Sequence, residues 1–351
     1  VTTPRSPRLP HWEFWPSWLF YTPVAVCYTL LSARYGSATL PTCANPGFFT
    51  GGLIGESKFT ILDALQRTSP SHTARTFLIP SGDNRSDILD NLLASGELDF
   101  PFILKPDIGQ RGSGFKVVHQ PSDYRAYLSA MPSPAVAQPY VAGPHEAGLF
   151  YYRFPGSPRG RLLAITHKIF PHLEGDGHRT LQELILADPR AAVIAPTYLR
   201  RLANRLTEIP NPGAKIRLVE AGNHAQGCIF QDGMETLWSE RLEARVDEIS
   251  QGVEGFFIGR YDVRYSCPEK LRNDGEFTIL ELNGASSEAT SAYDAGKSLP
   301  ESYALLFKQW RLVFAIAAAN RRLGHRPASA ASIIQEILRY RSLQTTHPPA
   351  D

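Results

Sequence analysis

Two short alternating runs in the C-terminal third constrain this chain most: Gly259-Arg260-Tyr261-Asp262-Val263 and Leu280-Glu281-Leu282-Asn283-Gly284. Side chains two apart on a strand share a face. Arg260 and Asp262 are therefore expected on one side with Glu281 and Asn283, and Tyr261, Val263, Leu280 and Leu282 on the opposite, apolar side. Paired as a hairpin, the runs present two carboxylates, an amide oxygen and a guanidinium together. Such a face suits a hard divalent cation shared with phosphate oxygens, and Arg260 adds fixed positive charge for a phosphoryl group. The plain alternative is an exposed hairpin with incidental ion pairs.

The chain can house such a site. Its 351 residues correspond to about two or three structural units, and 43% hydrophobic content excludes a disordered protein. The 36 Lys and Arg nearly balance the 34 Asp and Glu, so no electrostatic case for nucleic acid exists. Only eight of the basic residues are Lys, which gives weight to each Lys found in a motif. Cys27, Cys43, Cys228 and Cys267 form no C-x-x-C pair and read as reduced thiols of a cytoplasmic protein.

Residues 14–33 carry no charge, with Glu13 before them and Arg34 after. The length suffices to cross a bilayer. Pro16, Pro23 and the crowding of Trp12, Trp15, Trp18 and Tyr21 at one end suit a helix buried in the protein or lying at a membrane interface. Glu13 and the aromatic cluster interrupt any signal-peptide pattern.

Gly51-Gly52 and Gly55-Glu56-Ser57-Lys58 form a turn-rich stretch feeding a helix, with Ser57 as its N-cap. Glu56 stands where a P-loop needs Gly, so that motif is excluded. Strands are expected at 76–80, 102–104, 115–118, 135–141, 148–154, 161–170, 215–220, 226–230, 256–265 and 276–283, and their crowding in mid-chain predicts an antiparallel sheet. Helices are expected at 86–95, 180–187, 196–208, 237–250, 301–323 and 329–341, followed by a loose polar end.

The second chemical motif is Lys105-Pro106 at the end of an apolar strand, followed by Gly109, Gly112, Ser113 and Gly114. Glycines let backbone N–H groups approach phosphate oxygens closely. The order is not the dinucleotide fingerprint, and no helix follows at once. His167 is expected on the strand face opposite Lys168, as packing, and His172, His178 and His224 lack ligand partners at recognisable spacing. Arg200, Arg201 and Arg205 read as a solvated helix face, while Arg217 and Asn223 are candidates to reach a substrate.

Together the Lys-Pro before a glycine loop, the Gly143-x-x-Glu146 step, G-R-x-D-V and E-x-N resemble the ATP-grasp superfamily and are similar to D-alanine-D-alanine ligases. The segment Gly175-Asp176-Gly177 through Thr180 to Glu183-Leu184 and the Gly222-Asn223 to Gly227 pattern are similar to cyanophycin-synthetase-like amide ligases. The resemblance spans roughly residues 95–300. It implies an α+β ATP-grasp fold, two α+β subdomains gripping ATP. An N-terminal α/β domain would occupy 1–95, the ATP-grasp domain 96–325 (small subdomain 96–140, large 141–325), and a tail 326–351. It implies that Lys105 and Lys168 contact nucleotide phosphates under a loop of Gly109, Gly112, Ser113 and Gly114. Gln138, Tyr140 and Val141 would flank adenine, and Glu146 would bind the ribose hydroxyls. Arg260 would hold the transferred phosphoryl group, and Asp262, Glu281 and Asn283 would hold Mg2+.

The activity so implied is an ADP-forming carboxylate-amine ligase acting through an acyl phosphate on small-molecule or peptide substrates. Glu56, Ser57 and Lys58 are its candidates for substrate contact. A non-catalytic ATP-binding module and a phosphotransferase on the same fold are the alternatives. Peripheral membrane association through 14–33 and a homodimer are the further partner expectations.

Overall fold

The computed structural model describes residues 12–109, 112–219, 222, 227–345 and 347. Asn223 and His224, singled out above, lie outside them. The first long element is helix α1, Ser17–Tyr35, which accommodates Pro23 and stops at Gly36 in the left-handed conformation with φ 69°. Among the described residues no helix is long and apolar enough to cross a membrane. Helix α2, Lys58–Thr68, begins as expected: Ser57 Oγ accepts the Thr60 N–H at 3.1 Å.

Strand β1 (Phe77–Ile79), helix α3 (Arg85–Ala94), strands β2 (Phe102–Pro106) and β3 (Lys116–Val118), helix α4 (Pro121–Ala130) and strand β4 (Ala135–Pro139) follow. The strands form an antiparallel sheet in the order β1-β4-β2-β3. Ile79, Leu89, Phe102, Leu104, Tyr124 and Met131 make its core under α3 and α4. The expected boundary at residue 95 falls inside this unit, because β1 and α3 belong to it. Three residues of strand bury too little apolar surface to stand alone, so β1 completes an existing edge. The short α4 was not foreseen; its start is set by Pro121 at the first turn and the reciprocal Gln120 and Asp123 capping box.

The larger unit holds strands β5 (His145–Tyr152) and β6 (Arg161–Ile169), the short β7 (His172–Glu174), and helices α5 (Leu181–Ala187) and α6 (Ala195–Arg201). Next come β8 (Lys215–Arg217), β9 (Ile229–Asp232), α7 (Met234–Leu237), α8 (Glu240–Gly252), β10 (Ile258–Tyr265), α9 (Pro268–Asp274) and β11 (Thr278–Asn283). The main sheet is antiparallel throughout, ordered β11-β10-β5-β6-β9. Strands β7 and β8 pair separately and pack with α5 and α6 through Phe170, Leu181, Ile185 and Ile216. The single helix expected over 196–208 is interrupted after Arg201. Arg201 is not solvated as expected; it donates to the Leu218 carbonyl at 2.9 Å.

Alternation along the strands sorts the two faces of the main sheet. Leu149, Tyr261 and Val263 join Leu62, Leu65 and Val246 in the core beneath α2 and α8. Phe150, Ala164 and Ile258 face the other way and are covered by helix α10, Leu299–Arg322. Helix α1 lies on α10, with Tyr28 at 4.9 Å from Trp310 and Phe20 at 5.5 Å from Tyr303, measured between ring centroids. The last helix, α11, Ala330–Gln344, has no buried residue. The chain beyond it, expected to be loose, brings His347 Nδ1 to 3.3 Å from Ser113 Oγ.

Candidate functional site

Beyond the area covered by α10, the Ile258 face of the main sheet turns polar and borders a cleft of about 630 Å³ whose other wall is the small sheet. Strand β10 delivers Arg260 and Asp262 to this cleft, and β11 delivers Glu281 and Asn283. The register sets Arg260 opposite Asn283 and Asp262 opposite Glu281, as a hairpin reading requires. The connection is the unforeseen helix α9, which Pro268 starts and Gly275 ends with φ 65°.

The ladder shifts between Asp262 and Val263, so Val263 faces Ile279 and leaves Leu280 as an extra residue. Leu280 therefore lines the cleft with Glu281, contrary to the alternation expected from sequence, while Ile279 and Leu282 stay in the core. A bulge re-aims the backbone at one point. Here it turns the Leu280 carbonyl toward the small sheet, where it accepts from Lys105 Nζ at 3.2 Å and Gln138 Nε2 at 3.4 Å.

Arg260 grips Asp262 with both ends of its fork, Nε to Oδ1 at 2.8 Å and Nη2 to Oδ2 at 3.1 Å. Its third donor reaches the Glu288 carbonyl at 3.1 Å. Lys168 on β6 stands between Asp262 Oδ1 at 3.0 Å and Glu146 Oε1 at 2.9 Å. Burial alone would raise the Asp262 carboxyl, but Arg260 and Lys168 hold it down at about 2. Burial also works against the Lys168 charge, yet Asp262 and Glu146 leave its affinity for the proton raised. Lys105 moves the other way: burial lowers it, with Glu281 opposing. Lys105 is thus a buried amine whose charge burial disfavours, and phosphate oxygens beside it would favour that charge.

Glu146 faces the cleft but is engaged by Lys168 and, at 3.5 Å, by Arg264 Nε. Arg264 also donates to the Val141 carbonyl at 2.7 Å and lies 5.1 Å from the Tyr140 ring. Gln138 and Val141 line the cleft; Tyr140, expected beside them, does not. Of the glycine loop, Gly109, Gly112 and Ser113 line it, and Gly114 instead approaches Pro106 and Tyr127. Arg217, a candidate for substrate contact, packs its guanidinium 3.8 Å over Phe170 and lies outside the lining. His167 behaves as packing, bonded to the Tyr265 hydroxyl at 3.1 Å and lowered by burial.

The segment 51–58 forms the cleft floor. Asn45 donates to the Gly51 and Ile258 carbonyls at 2.9 and 2.8 Å and accepts the Phe257 and Ile258 N–H groups. It pins the glycine pair to β10. Gly52 has φ 73°, and a Cβ there would overlap the backbone of Gly284, which follows Asn283. The close approach brings Glu56 and Lys58 into the cleft, whereas Ser57 caps α2 and donates to Asp107 Oδ1 at 2.9 Å. Glu56 Oε1 accepts the Gly284 N–H at 3.4 Å, while Oε2 is out of solvent without a hydrogen-bond partner. Burial pushes this carboxyl up to about 7. Lys58 Nζ lies 3.6 Å from Glu281 Oε1.

No group of three or more His, Cys, Asp or Glu stands at metal-holding distance among the described residues. The chemistry of the polar set nonetheless fits a cation shared with phosphate. Among the described residues Glu281 makes one ion pair, with Lys58 at 3.6 Å, and Asn283 faces the same cleft; magnesium binds through one or two carboxylates plus substrate oxygens. Asp262 differs, since both of its oxygens already accept from Arg260 or Lys168. At the far end the cleft is aromatic, with Trp15, Phe20, Tyr21 and Tyr293, and both tyrosine hydroxyls donate to Glu288 Oε2 at 2.9 Å. The sequence reading missed this wall because residues 270 apart compose it.

No protein-family model matches the chain, and a search of curated proteins finds no match. Solved structures similar to it include a bifunctional glutathione synthetase from Pasteurella multocida, at 14% identity and TM-score 0.37 over 75% of this chain and 38% of that one. A D-alanine--D-alanine ligase from Bacillus anthracis matches at 17% identity and TM-score 0.41, over 77% of this chain and 69% of that one. An N5-carboxyaminoimidazole ribonucleotide synthetase in its ADP complex matches at 13% and 0.39, over 67% of this chain and 46% of that one. The chain thus spans well under half the length of the first of these.

Proposed function

We propose that the cleft binds ATP and that the chain is an ATP-grasp ligase joining a carboxylate to an amine through an acyl phosphate. One observation carries this reading. Lys105, Lys168 and Arg260, from three strands, converge with Asp262, Glu281 and Asn283 in a cleft between two antiparallel sheets. Phosphoryl transfer needs little covalent help from a protein and much fixed charge and alignment.

In this reading Ile103, Pro139 and Val141, which line the cleft, would offer apolar walls to the base, and Gly112 and Ser113 would cover the phosphates. Phosphate oxygens would take Lys168 from its carboxylate partners, which frees Glu146 for ribose hydroxyls and one Asp262 oxygen for the cation. Glu281 and Asn283, then Asp262, would hold magnesium, which supplies charge neutralisation on the phosphate oxygens. Arg260 steadies the transferred group. A carboxylate oxygen of the substrate attacks the γ-phosphorus and ADP leaves with the bridging electron pair. The amine nitrogen then attacks the acyl carbon, loses a proton, and inorganic phosphate departs. Glu56, which lines the cleft floor, is suited to contact the amine substrate before attack.

Mass spectrometry of products from ATP, magnesium and a mixed library of carboxylates and amines tests the reading. ADP release that needs both an acid and an amine, with an amide among the products, is the expected result. ATP binding without turnover would return the chain to a binding module. A stable phosphorylated product with no amide would make it a phosphotransferase.

A further inference from the structure

We propose that the outer face of α1 docks the protein on an anionic lipid surface, independently of what the cleft catalyses. Trp18, Val26 and Leu30 lie along one side of this helix, 73%, 55% and 66% exposed, and no charged residue occurs between Glu13 and Arg34. The outer side of a helix packed on a protein is ordinarily polar, and large exposed apolar side chains with no charge among them mark an interaction surface.

The polar groups on this face are already satisfied within the helix. The exposed Thr22 donates its hydroxyl to the Trp18 carbonyl at 2.6 Å, and Thr29 does the same to Ala25 at 2.9 Å. The face can therefore enter a medium of low dielectric without stranding a donor. The inner side is held by Phe20 and Tyr28 against α10, so docking requires no rearrangement.

Charge decides what covers it. Helix α10 runs alongside α1 in the same direction: the Tyr303 hydroxyl donates to the Phe20 carbonyl at 3.0 Å, and Arg321 to that of Tyr35 at 3.3 Å. The two helices expose Arg34, Lys308, Arg311, Arg321 and Arg322 against a single exposed carboxylate, Glu301. The chain as a whole is nearly neutral at +2. A second copy packed face to face about a two-fold axis would oppose these cations to one another. An anionic bilayer suits this excess of cations while taking up the apolar stripe, with Trp18 at the headgroup level. The inner side of the same helix lines the cleft through Ser17, Phe20 and Tyr21, so docking sets that end of the cleft beside the headgroups.

Flotation with vesicles of phosphatidylcholine and phosphatidylglycerol, compared with phosphatidylcholine alone, tests this. The full chain is expected to float with the anionic vesicles and to be released by high salt. Arg311→Ala should weaken binding about fivefold. The double variant Val26→Asp, Leu30→Asp should abolish it with an unchanged circular dichroism spectrum, because both side chains are exposed. The proposal is overturned if the protein stays in the lipid-free fraction, or if binding survives the double variant. It is equally overturned by a lipid-free dimer in sedimentation equilibrium that Val26→Asp disperses, since the face would then belong to a second copy.

Discussion

Lys168 on β6 and Asp262 on β10 are joined across an intervening strand, with 3.0 Å between Nζ and Oδ1. The strand between them, β5, carries Gly148 at the crossing, where a Cβ would stand 3.1 Å from Arg260 Cδ and 3.6 Å from Asp262 Oδ1. A missing side chain on one strand thus lets the groups of two others meet. Lys168→Met leaves Glu146 and Asp262 buried without their shared cation. Stability should fall by about 3 kcal/mol in urea unfolding, and ATP binding should be lost in calorimetric titration. Unaltered values for both would remove Lys168 from the centre of the site.

Glu281 is the carboxylate with the fewest engagements on the polar face. Glu281→Gln should lower ADP release by about 100-fold at saturating magnesium while the unfolding midpoint stays put. Asp262→Asn should also cost turnover, but with a loss of stability, because it breaks the Arg260 fork. Equal thermal effects of the two substitutions would contradict the difference in engagement.

Glu56 makes the stability of the metal-free protein depend on pH. Its carboxyl rises from an ordinary value of 4.5 to about 7 in the folded chain, so the native state keeps the proton where the unfolded chain has lost it. Its contribution is therefore fully present below about 4.5 and is lost as pH rises toward 7, by at most about 3 kcal/mol. In EDTA, Glu56→Gln should match the parent near pH 4.5 and exceed it near pH 8. An advantage of the same size at both pH values would rule out titration of Glu56 as the cause.

Gly52 is conformationally specified twice, by its φ of 73° and by the backbone of Gly284 against it. Gly52→Ala should reduce stability by about 2 to 3 kcal/mol and displace Glu56. Gly36→Ala serves as a control, since φ there is 69° and nothing lies within 4 Å of the added methyl group. If the two variants unfold at the same denaturant concentration, the approach to Gly284 is not what requires glycine at 52.

Much of this architecture was open to reading in the chain. The period-two runs around Arg260 and Glu281 pointed to the paired strands and their polar face, since slipping either strand by one residue would turn its two polar groups toward the core. Ser57 announced the start of α2, and Lys105 announced the end of β2. Periodicity could not show that β1 and α3 belong with the small sheet, because edge pairing depends on which strand is left unpartnered in three dimensions.

The sequence by itself determined which residues face which way along the regular stretches of strand and helix, because that follows from local backbone geometry; the bulge at Leu280 is where this rule stopped. Only the tertiary structure decided who meets whom. Leu280 turned its carbonyl to Lys105 because a bulge broke the alternation, Glu146 met Lys168 and Arg264 because three strands align, and Glu56 entered the cleft because Gly52 and Gly284 touch. Each of these depends on distances between segments far apart in the chain, which packing of the whole core settles and no local pattern encodes.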